Sequence, residues 1–433
     1  MRGVALLLAV AGTAAAAIWG ASGCGNQALP AGTTATVSDS PSPTQAPIPR
    51  SSGPLDLHPP DGYVYNGGGV TSASDTLTLG SNCTIVGVNF VGGGDSGIEI
   101  RGSGNKISGC AFSAYPRAGL IVALGNDNVI DGNTFNGVTG SGAGIQILGG
   151  KHNQITNNIT RGGITAIAFL YSRSINGGRA ASLIENNVVS GNTCSDFSEE
   201  GITFDVLGNS AADVAALEHD TIVSVGGSTI TLSNHTWPAY VGYDMVFLTG
   251  ALAGQTRGIV GQSGNGFIVD SAPKGAAAGD HVVIGATFKH NLVSHNTVTA
   301  ASSAQNSILL YGMAFDNRIE DNRVLSGSIK VESLDNLVIA AGSATKTYGR
   351  APCGYNTING NVVSGTISLE YYAIPTTNGH ANAYPAYVSK GNNVVDNRCA
   401  GVSANHQIAF IANNSGATDY SDVTITPAQM TAP

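Results

Sequence analysis

Three carboxylates at equivalent places in separate short segments are the first candidates for chemistry in this sequence. Asp205, Glu332 and Glu370 each stand four residues after a small residue that opens a segment of alternating apolar and polar character. Two carboxyl groups held near each other repel when both are ionised, so one can stay protonated as a general acid. Hydrolysis of a glycosidic bond uses such a pair at about 5 Å or about 6.5–9.5 Å. We therefore predict that these three residues are catalytic.

Further polar residues lie beside these carboxylates or in the loops that follow their segments. Lys330, two residues before Glu332, could hold a carboxylate ionised or grip a substrate. A solvated surface with ordinary ion pairs is the competing interpretation of the same charges. The predicted substrate-binding residues are Lys330, Tyr311, Glu200, Arg173, Arg179, Tyr372 and His380.

A recurring motif, Asn-x-(Ile/Val)-x-x-Asn, indicates which elements position these residues. The shortest spacings between its copies are 23, 25 and 26 residues. A second short apolar segment follows each copy, and the three carboxylates lie in such segments. Copies begin at Asn128, Asn153, Asn187, Asn291, Asn317, Asn356 and Asn392, with a degenerate copy at Asn105.

The repeat predicts a solenoid in which each copy is one turn of chain with two or three strands. Stacking the turns at about 4.8 Å pairs every strand with its counterparts above and below. The second Asn of each motif is predicted at a turn, because Asn tolerates a left-handed conformation. Its stacked side-chain amides could hydrogen-bond along a ladder.

These repeats resemble those of right-handed parallel β-helix proteins of the pectate-lyase-like superfamily. The resemblance covers roughly residues 77–206 and 288–415. It implies an all-β fold of about nine coils and a carbohydrate-active protein. The superfamily includes polysaccharide lyases, glycoside hydrolases, uronan epimerases and phage tail spikes, so the fold does not choose among these activities.

Stacking the second segments places the candidate residues in two columns that face outward. Glu332 and Glu370 then lie in adjacent coils about 5 Å apart, and Asp205 lies about 9–10 Å from Glu332. The later part of the first column is predicted to contain Thr203, Leu309, Lys330, Ser368 and Ala409. The later part of the second column is predicted to contain Leu170, Asp205, Tyr311, Glu332, Glu370 and Ile411.

Extra lengths of chain leave the predicted solenoid next to the same columns. They follow Leu170, Val206, Leu334 and Glu370 directly. Four insertions on one side of a rigid scaffold would wall a groove across the outward face, and such loops commonly carry binding and catalytic residues. Lys330 and Glu332 are thus predicted on the floor of a groove.

The insertion at residues 207–287 lacks the Asn motif and has alternating strands joined by Gly/Asn turns. This pattern predicts a small inserted β-barrel or sandwich. Four of its residues with aromatic rings could form a sugar-stacking surface or pack in its core. They are His235, Trp237, Tyr240 and Tyr243.

The N-terminal residues 1–24 have the charge and apolar run of a signal peptide. Ala21-Ser22-Gly23-Cys24 is similar to a lipoprotein cleavage box, which predicts lipidation of Cys24. The protein is then expected to be exported and either secreted or held at the cell surface. Ordinary cleavage and a retained anchor are the alternatives.

The rest of the chain divides into five predicted parts. They are a Ser/Thr/Pro-rich linker (25–54), the N-terminal part of the β-helix with its cap (55–206), the inserted domain (207–287), the C-terminal part of the β-helix (288–417) and a tail (418–433).

The composition limits the kinds of molecule that this protein is expected to bind. The formal net charge is −9 and no basic block is present, which argues against nucleic acid. Membrane contact is expected only through the N-terminal lipid. Five cysteines remain after Cys24, an odd number that does not make a disulfide framework, and no zinc-ligand motif occurs.

Three functions fit these observations. The leading hypothesis is a glycoside hydrolase that cleaves a polysaccharide or oligosaccharide with carboxylate acid/base chemistry and requires no cofactor. The alternative is a polysaccharide lyase or uronan epimerase with Lys330 or Tyr311 as base and Ca²⁺ on the carboxylates. The third is a non-catalytic glycan-binding solenoid or adhesin.

Overall fold

The computed structural model describes residue 51 and residues 54–67, 70–71, 76–92, 94–138, 142–171, 184–206, 216–233, 241–302, 305–339, 347–373 and 389–425. All regular secondary structure in these ranges is β-strand, as predicted. None of the described residues belongs to a helix long and apolar enough to cross a membrane.

The strands follow one another in three groups. Before the insertion they are β1 (Val64–Asn66), β2 (Val70–Thr71), β3 (Leu77–Leu79), β4 (Thr84–Val86), β5 (Asn89–Val91), β6 (Ser96–Ile100), β7 (Lys106–Ser108), β8 (Ala111–Ser113), β9 (Ala118–Val122), β10 (Val129–Asp131), β11 (Thr134–Val138), β12 (Ala143–Ile147), β13 (Gly150–Lys151), β14 (Gln154–Thr156), β15 (Ile159–Gly162), β16 (Thr165–Leu170), β17 (Ile184–Glu185), β18 (Val188–Ser190), β19 (Thr193–Ser195) and β20 (Glu200–Asp205). The insertion contains β21 (Ala216–Gly226), β22 (Thr229–Leu232), β23 (Asp244–Phe247), β24 (Thr256–Ser263), β25 (Gly266–Val269) and β26 (His281–Gly285). After it come β27 (Phe288–Lys289), β28 (Leu292–Ser294), β29 (Thr297–Thr299), β30 (Asn306–Tyr311), β31 (Ala314–Phe315), β32 (Arg318–Glu320), β33 (Arg323–Ser326), β34 (Ser328–Ile339), β35 (Thr347–Ala351), β36 (Thr357–Asn359), β37 (Val362–Val363), β38 (Thr366–Ala373), β39 (Ser389–Val395), β40 (Gly401–Ala412) and β41 (Ala417–Ile425).

The strands outside the insertion stack into a parallel β-helix. The first sheet contains β3, β6, β9, β12, β16, β20, β30, β34, β38, β40 and β41 in that order. The second sheet runs β1, β4, β7, β10, β14, β18, β28, β32, β36 and β39. The third sheet runs β2, β5, β8, β11, β15, β19, β29, β33 and β37, and a short sheet of β13, β17, β27 and β31 lies at a corner. Strand β35 forms an antiparallel hairpin with the end of β34.

Columns of apolar side chains fill the interior behind the first sheet. Burial of each such side chain contributes about 1.5–3 kcal/mol. Glycine is required at the corner where β20 begins, because a Cβ on Gly201 would lie 2.4 Å from Val298. One column, with every side chain fully buried, comprises Ile98, Leu120, Ile145, Ile167, Ile202, Ile308, Ile329 and Ile367.

Two ladders of buried asparagines tie each coil to the next. After the first Asn of each ladder, each amide oxygen accepts hydrogen bonds from the backbone N–H and the side-chain N–H of the Asn in the preceding coil. Asn192, for example, accepts both from Asn158 at 2.9 and 3.0 Å and donates to the carbonyl of Ile155 at 2.8 Å. The ladders run through Asn105, Asn128, Asn153, Asn187, Asn291, Asn317, Asn356 and Asn392, and through Asn133, Asn158, Asn192, Asn296, Asn322, Asn361, Asn397 and Asn414.

The predicted ladder is confirmed, but the predicted left-handed residue was wrong by one position. The residue before the second Asn takes the positive φ, because the Asn itself must point its amide inward. Asn157 has φ 55° and Asp321 has φ 54° at this place. Glycine provides the same conformation in other coils, as at Gly132 and Gly191.

We expect replacement of Asn192 by Ala to lower the free energy of unfolding by about 3 kcal/mol, because several buried backbone and amide groups lose their partners. Denaturant unfolding monitored by circular dichroism measures the change. Asn136→Ala, on the third sheet and outside both ladders, is the matched control. Equal losses in the two variants would contradict a special role for the ladder.

The insertion folds as a closed barrel, in the order β21, β22, β25, β24, β23 and β26. The predicted inserted β-barrel is therefore confirmed. Asp244 of the barrel accepts a hydrogen bond from Thr287 and pairs with Lys289 at 2.8 Å. Tyr243 is buried, with its hydroxyl 2.7 Å from that of Tyr171, so it packs in the interior rather than on a sugar-stacking surface. His235, Trp237 and Tyr240 lie outside the described residues.

A row of charges crosses the short sheet. Glu185 contacts Lys151 and lies 3.3 Å from His290, whose other ring nitrogen is 3.2 Å from Asp316. Burial alone would raise the pKa of Glu185, but hydrogen bonds from His290 and Lys151 outweigh it and lower the pKa to about 2. Hydrogen bonds to Asp316 and Glu185 raise the pKa of His290 to about 9.

This raised pKa gives a pH-dependent contribution to stability. His290 titrates near 6.5 when unfolded and near 9 when folded, so its contribution is fully present below pH 6.5 and is lost as the pH rises through 9. We expect His290→Gln to lower the melting temperature at pH 6 and to change it little at about pH 10. His295→Gln, on an exposed histidine, is the control. A loss that is equal at both pH values would contradict the assignment.

Candidate functional site

The backbone register brings the predicted outward column together. Leu170, Asp205, Tyr311, Glu332 and Glu370 pair in that order across β16, β20, β30, β34 and β38. The adjoining column likewise runs from Thr203 through Leu309 and Lys330 to Ser368.

The last coil differs from the prediction. Ser368 pairs with Ser403, not with Ala409. Strand β40 is twelve residues long and crosses from the first sheet to the second, so Ala409 and Ile411 pair with β39 instead. The prediction therefore assigned the second half of β40, around Ala409, to the first sheet, whereas it belongs to the second.

The outward face of the first sheet changes character along the stack. Over β9 and β12 it is largely apolar, with Ile121, Ala123 and Leu148 buried in a small cluster of their own and Gln146 as a buried polar residue. From β20 onward it carries a group of charged side chains that lie in neighbouring coils. Glu200, Asp205, Lys330, Glu332 and Glu370 are called the acid cluster below.

Lys330 links two carboxylates of the acid cluster. Its ammonium group contacts Glu332 and lies 2.8 Å from Glu370. The side chains of Lys330 and Glu332 are only 8% and 9% exposed, and that of Glu370 is 23% exposed. Glu332 is thus more enclosed than a residue on the floor of an open groove.

Burial and charge act in opposite directions on this pair. Burial lowers the pKa of Lys330, but attraction to Glu332 and Glu370 outweighs it and the net shift is upward. Burial raises the pKa of Glu332, and attraction to Lys330 offsets this only in part. Lys330 is therefore a cation at neutral pH and a poor proton acceptor.

Glu200 has the most strongly shifted carboxyl group of the cluster. Burial raises its pKa well above the usual range, and the charges of Glu199 and Asp205 raise it further. A hydrogen bond from the Thr165 hydroxyl, at 3.3 Å, opposes the shift. Glu332 also raises the pKa through its charge. Glu200, which the sequence suggested only for substrate binding, is thus the group suited to donate a proton.

Two further polar atoms belong to β20 and β30. Thr203 was predicted in an outward column without a role, and Asn306 was not among the predicted residues. The Thr203 hydroxyl and the side-chain oxygen of Asn306 are buried and have no hydrogen-bond partner. Asn306 pairs in register with Glu200. The sequence feature that could have identified Asn306 is its position opposite Glu200 in the next coil of the stack. Both atoms could form hydrogen bonds with a ligand.

The remaining predicted residues are placed as follows. Tyr311 is partly buried between Asp205 and Glu332 in the register. The backbone of Tyr372 pairs with Leu334, two residues beyond the pair of Glu370 and Glu332. Cys24, Arg173, Arg179 and His380 lie outside the described residues. Within the described part of the chain, no three His, Cys, Asp or Glu side chains form a group that could hold a metal ion.

We expect Lys330→Met to lower the free energy of unfolding at pH 7 by about 3–5 kcal/mol, because Glu332 would become a buried charge without its cation. The loss should shrink as the pH falls, since protonation of Glu332 removes that charge. Lys106→Met, on a partly exposed lysine of β7, is the control. A loss independent of pH, or one shared by the control, would argue against the ion pairs.

Comparison with known proteins supports the fold. A family model described as "Right handed beta helix region" matches residues 66–237. No curated protein matches the sequence.

Three solved structures illustrate the likeness. The A-module of mannuronan C-5 epimerase AlgE6 from Azotobacter vinelandii is 10% identical, with a TM-score of 0.42. The match covers 83% of this chain and 69% of the epimerase chain. The Dettilon tailspike protein is 14% identical over 83% of this chain and 62% of its own, with a TM-score of 0.39. The tailspike of E. coli bacteriophage HK620 in complex with a pentasaccharide is 13% identical, with a TM-score of 0.37. The match covers 83% of this chain and 52% of the tailspike chain.

Identities and TM-scores this low carry no argument about chemistry. The family model agrees with the parallel coils seen in the structure. The chain thus folds as a parallel β-helix with an inserted six-stranded barrel, and residues 66–237 match the right-handed β-helix model.

Proposed function

We propose that the protein is a polysaccharide-cleaving enzyme, specifically a glycoside hydrolase whose site is the acid cluster. The observation that carries the proposal is the raised pKa of Glu200 on the same face as Asp205 and Glu332. A carboxyl group that remains protonated near neutral pH is what a general acid requires.

Each step of the reaction has a candidate group. The Glu200 carboxyl donates its proton to the glycosidic oxygen as the bond from that oxygen to the anomeric carbon breaks. Water adds to the anomeric carbon and loses a proton to the carboxylate of Asp205, which is partly exposed. The products together gain one water: the leaving oxygen keeps the proton from Glu200, and the anomeric carbon gains the hydroxyl of water. The proton that Asp205 takes from water equals the one that Glu200 gave up, and exchange with solvent restores both groups for the next turnover.

The ion pairs of Lys330 have a supporting part in this mechanism. The ammonium group of Lys330 contacts Glu332 and lies 2.8 Å from Glu370, which holds both carboxyl groups beside the proposed position of the reacting sugar. Negative charge on these groups would stabilise the positive charge that develops on the sugar ring in the transition state. The free Thr203 and Asn306 oxygens could hold sugar hydroxyls.

The lyase or epimerase alternative has less support. It needs a neutral base, and the raised pKa of Lys330 keeps that side chain protonated. Tyr311 remains the candidate base for that reaction. Export of the protein and anchoring through Cys24 are part of our proposal for the chain as a whole.

We expect Glu200→Gln to reduce turnover of a cleaved polysaccharide about 100-fold or more, because the amide cannot donate the proton. The assay incubates the full chain with a panel of polysaccharides and follows products by mass spectrometry and by absorbance of unsaturated uronides. Products that gain one water per cleavage support hydrolysis.

Glu99→Gln is the matched control, because Glu99 lies on the same face but pairs with Arg101 away from the cluster. Its turnover should match that of the unaltered protein. Unsaturated products, or unchanged turnover in Glu200→Gln, would overturn the hydrolase proposal.

A further inference from the structure

A cavity of about 170 Å³ lies where the inserted barrel meets the coils that follow it. Its walls come from the barrel around Gly254 and Arg257 on one side, and from β27, β31 and Tyr355 on the other. The two sides are close, because a Cβ on Gly254 would lie 3.2 Å from the ring of Tyr355. We call this the junction cavity. None of its lining residues belongs to the acid cluster.

The lining is rich in cationic side chains, although the protein is acidic overall. Arg257, Lys289 and His290 all contribute to it. Lys289 is paired with Asp244 at 2.8 Å, and His290 is paired with Asp316 at 3.2 Å and with a second carboxylate. The charges of these two side chains are therefore already compensated by the protein.

Arg257 is different, because its hydrogen bonds to described residues go only to neutral acceptors. The guanidinium donates to the carbonyl oxygen of Thr256 at 2.7 Å and to the side-chain oxygen of Gln255 at 3.0 Å. Its Nε is buried and has no hydrogen-bond partner. Among the described residues, no ion pair includes Arg257. The cavity thus contains one uncompensated positive charge with a free donor.

A guanidinium group with free donors matches the planar geometry of a carboxylate. The rest of the lining suits a sugar ring: Phe315 and Tyr355 offer aromatic surface, and Asp316 and Gln255 offer groups for hydroxyls. The volume is below the roughly 300–1,000 Å³ of sites for drug-sized ligands, which favours a single sugar residue.

We propose that the junction cavity binds a hexuronate, a sugar residue that carries a carboxylate, with the carboxylate on Arg257. The hexuronate is either a free sugar or the terminal residue of a uronan chain. This inference goes beyond the proposed function, because binding at the junction cavity does not require the acid cluster to be catalytic.

Isothermal titration calorimetry of the full chain tests the proposal. The probes are galacturonate, its uncharged methyl ester and inorganic sulfate. We expect galacturonate to bind and the ester to bind at least about tenfold more weakly, because it loses a charged hydrogen bond. Sulfate should also bind at least about tenfold more weakly, because it has no sugar ring to contact the rest of the lining. Trigalacturonate separates the two sources: binding of the trimer indicates a chain end, and binding of the monomer alone indicates a free sugar.

Variants locate the binding. Arg257→Gln should weaken galacturonate binding about tenfold or more. Arg257→Lys keeps the charge but loses the planar arrangement of donors, so its affinity for galacturonate should lie between those of the unaltered protein and Arg257→Gln. Arg323→Gln, on an exposed arginine of β33, should bind as the unaltered protein does. Circular dichroism confirms that the barrel is folded in each variant.

Several results would overturn the inference: no binding of any uronate, equal binding of the uncharged ester or of sulfate, or unchanged binding by Arg257→Gln. Turnover measured on the same preparations keeps this test separate from that of the hydrolase. Uronate binding without cleavage of any polysaccharide in the panel would support the junction cavity and count against the acid cluster as an active site.

Discussion

The hydrogen bonds between successive asparagines are the interaction on which the rest of this structure depends. A parallel coil can slide against its neighbour by two residues without changing which side chains face inward. A buried amide at a fixed place in each coil prevents such a slide, because any shift leaves its donors and acceptor without partners. The register that aligns Asp205, Tyr311, Glu332 and Glu370 follows from that constraint.

A rigid scaffold lets the outward face carry groups that are unfavourable on their own. Several carboxylates lie on a partly buried surface, where repulsion and desolvation cost free energy. Lys330 offsets this cost for two of them through its ion pairs, and burial together with nearby charge raises the pKa of Glu200, which favours its neutral form. Carboxyl groups on one surface therefore differ in their tendency to ionise, a difference that arises from their surroundings and not from their chemical type.

Much of the fold could be predicted from the sequence, because the solenoid repeats a short pattern and each copy confirms the others. The columns were correct as far as Glu370 for that reason. They failed at the last coil, where β40 spans two sheets and no further copy constrains its register. The role of Glu200 was missed because burial and nearby charge set a pKa, and both depend on coils distant in sequence. The junction cavity was missed because two separate units form it.

The barrel interrupts the chain but not the ladders. Asn187 and Asn291 are hydrogen-bonded partners although 104 residues separate them, and so are Asn192 and Asn296. Joining the ends of so long a loop costs conformational entropy, and that cost grows only with the logarithm of loop length. A barrel that folds first brings its two ends together and shortens the effective loop. The solenoid can thus accept a whole domain between adjacent coils with little loss of stability, which makes this position a natural point for exchange of one domain for another in evolution.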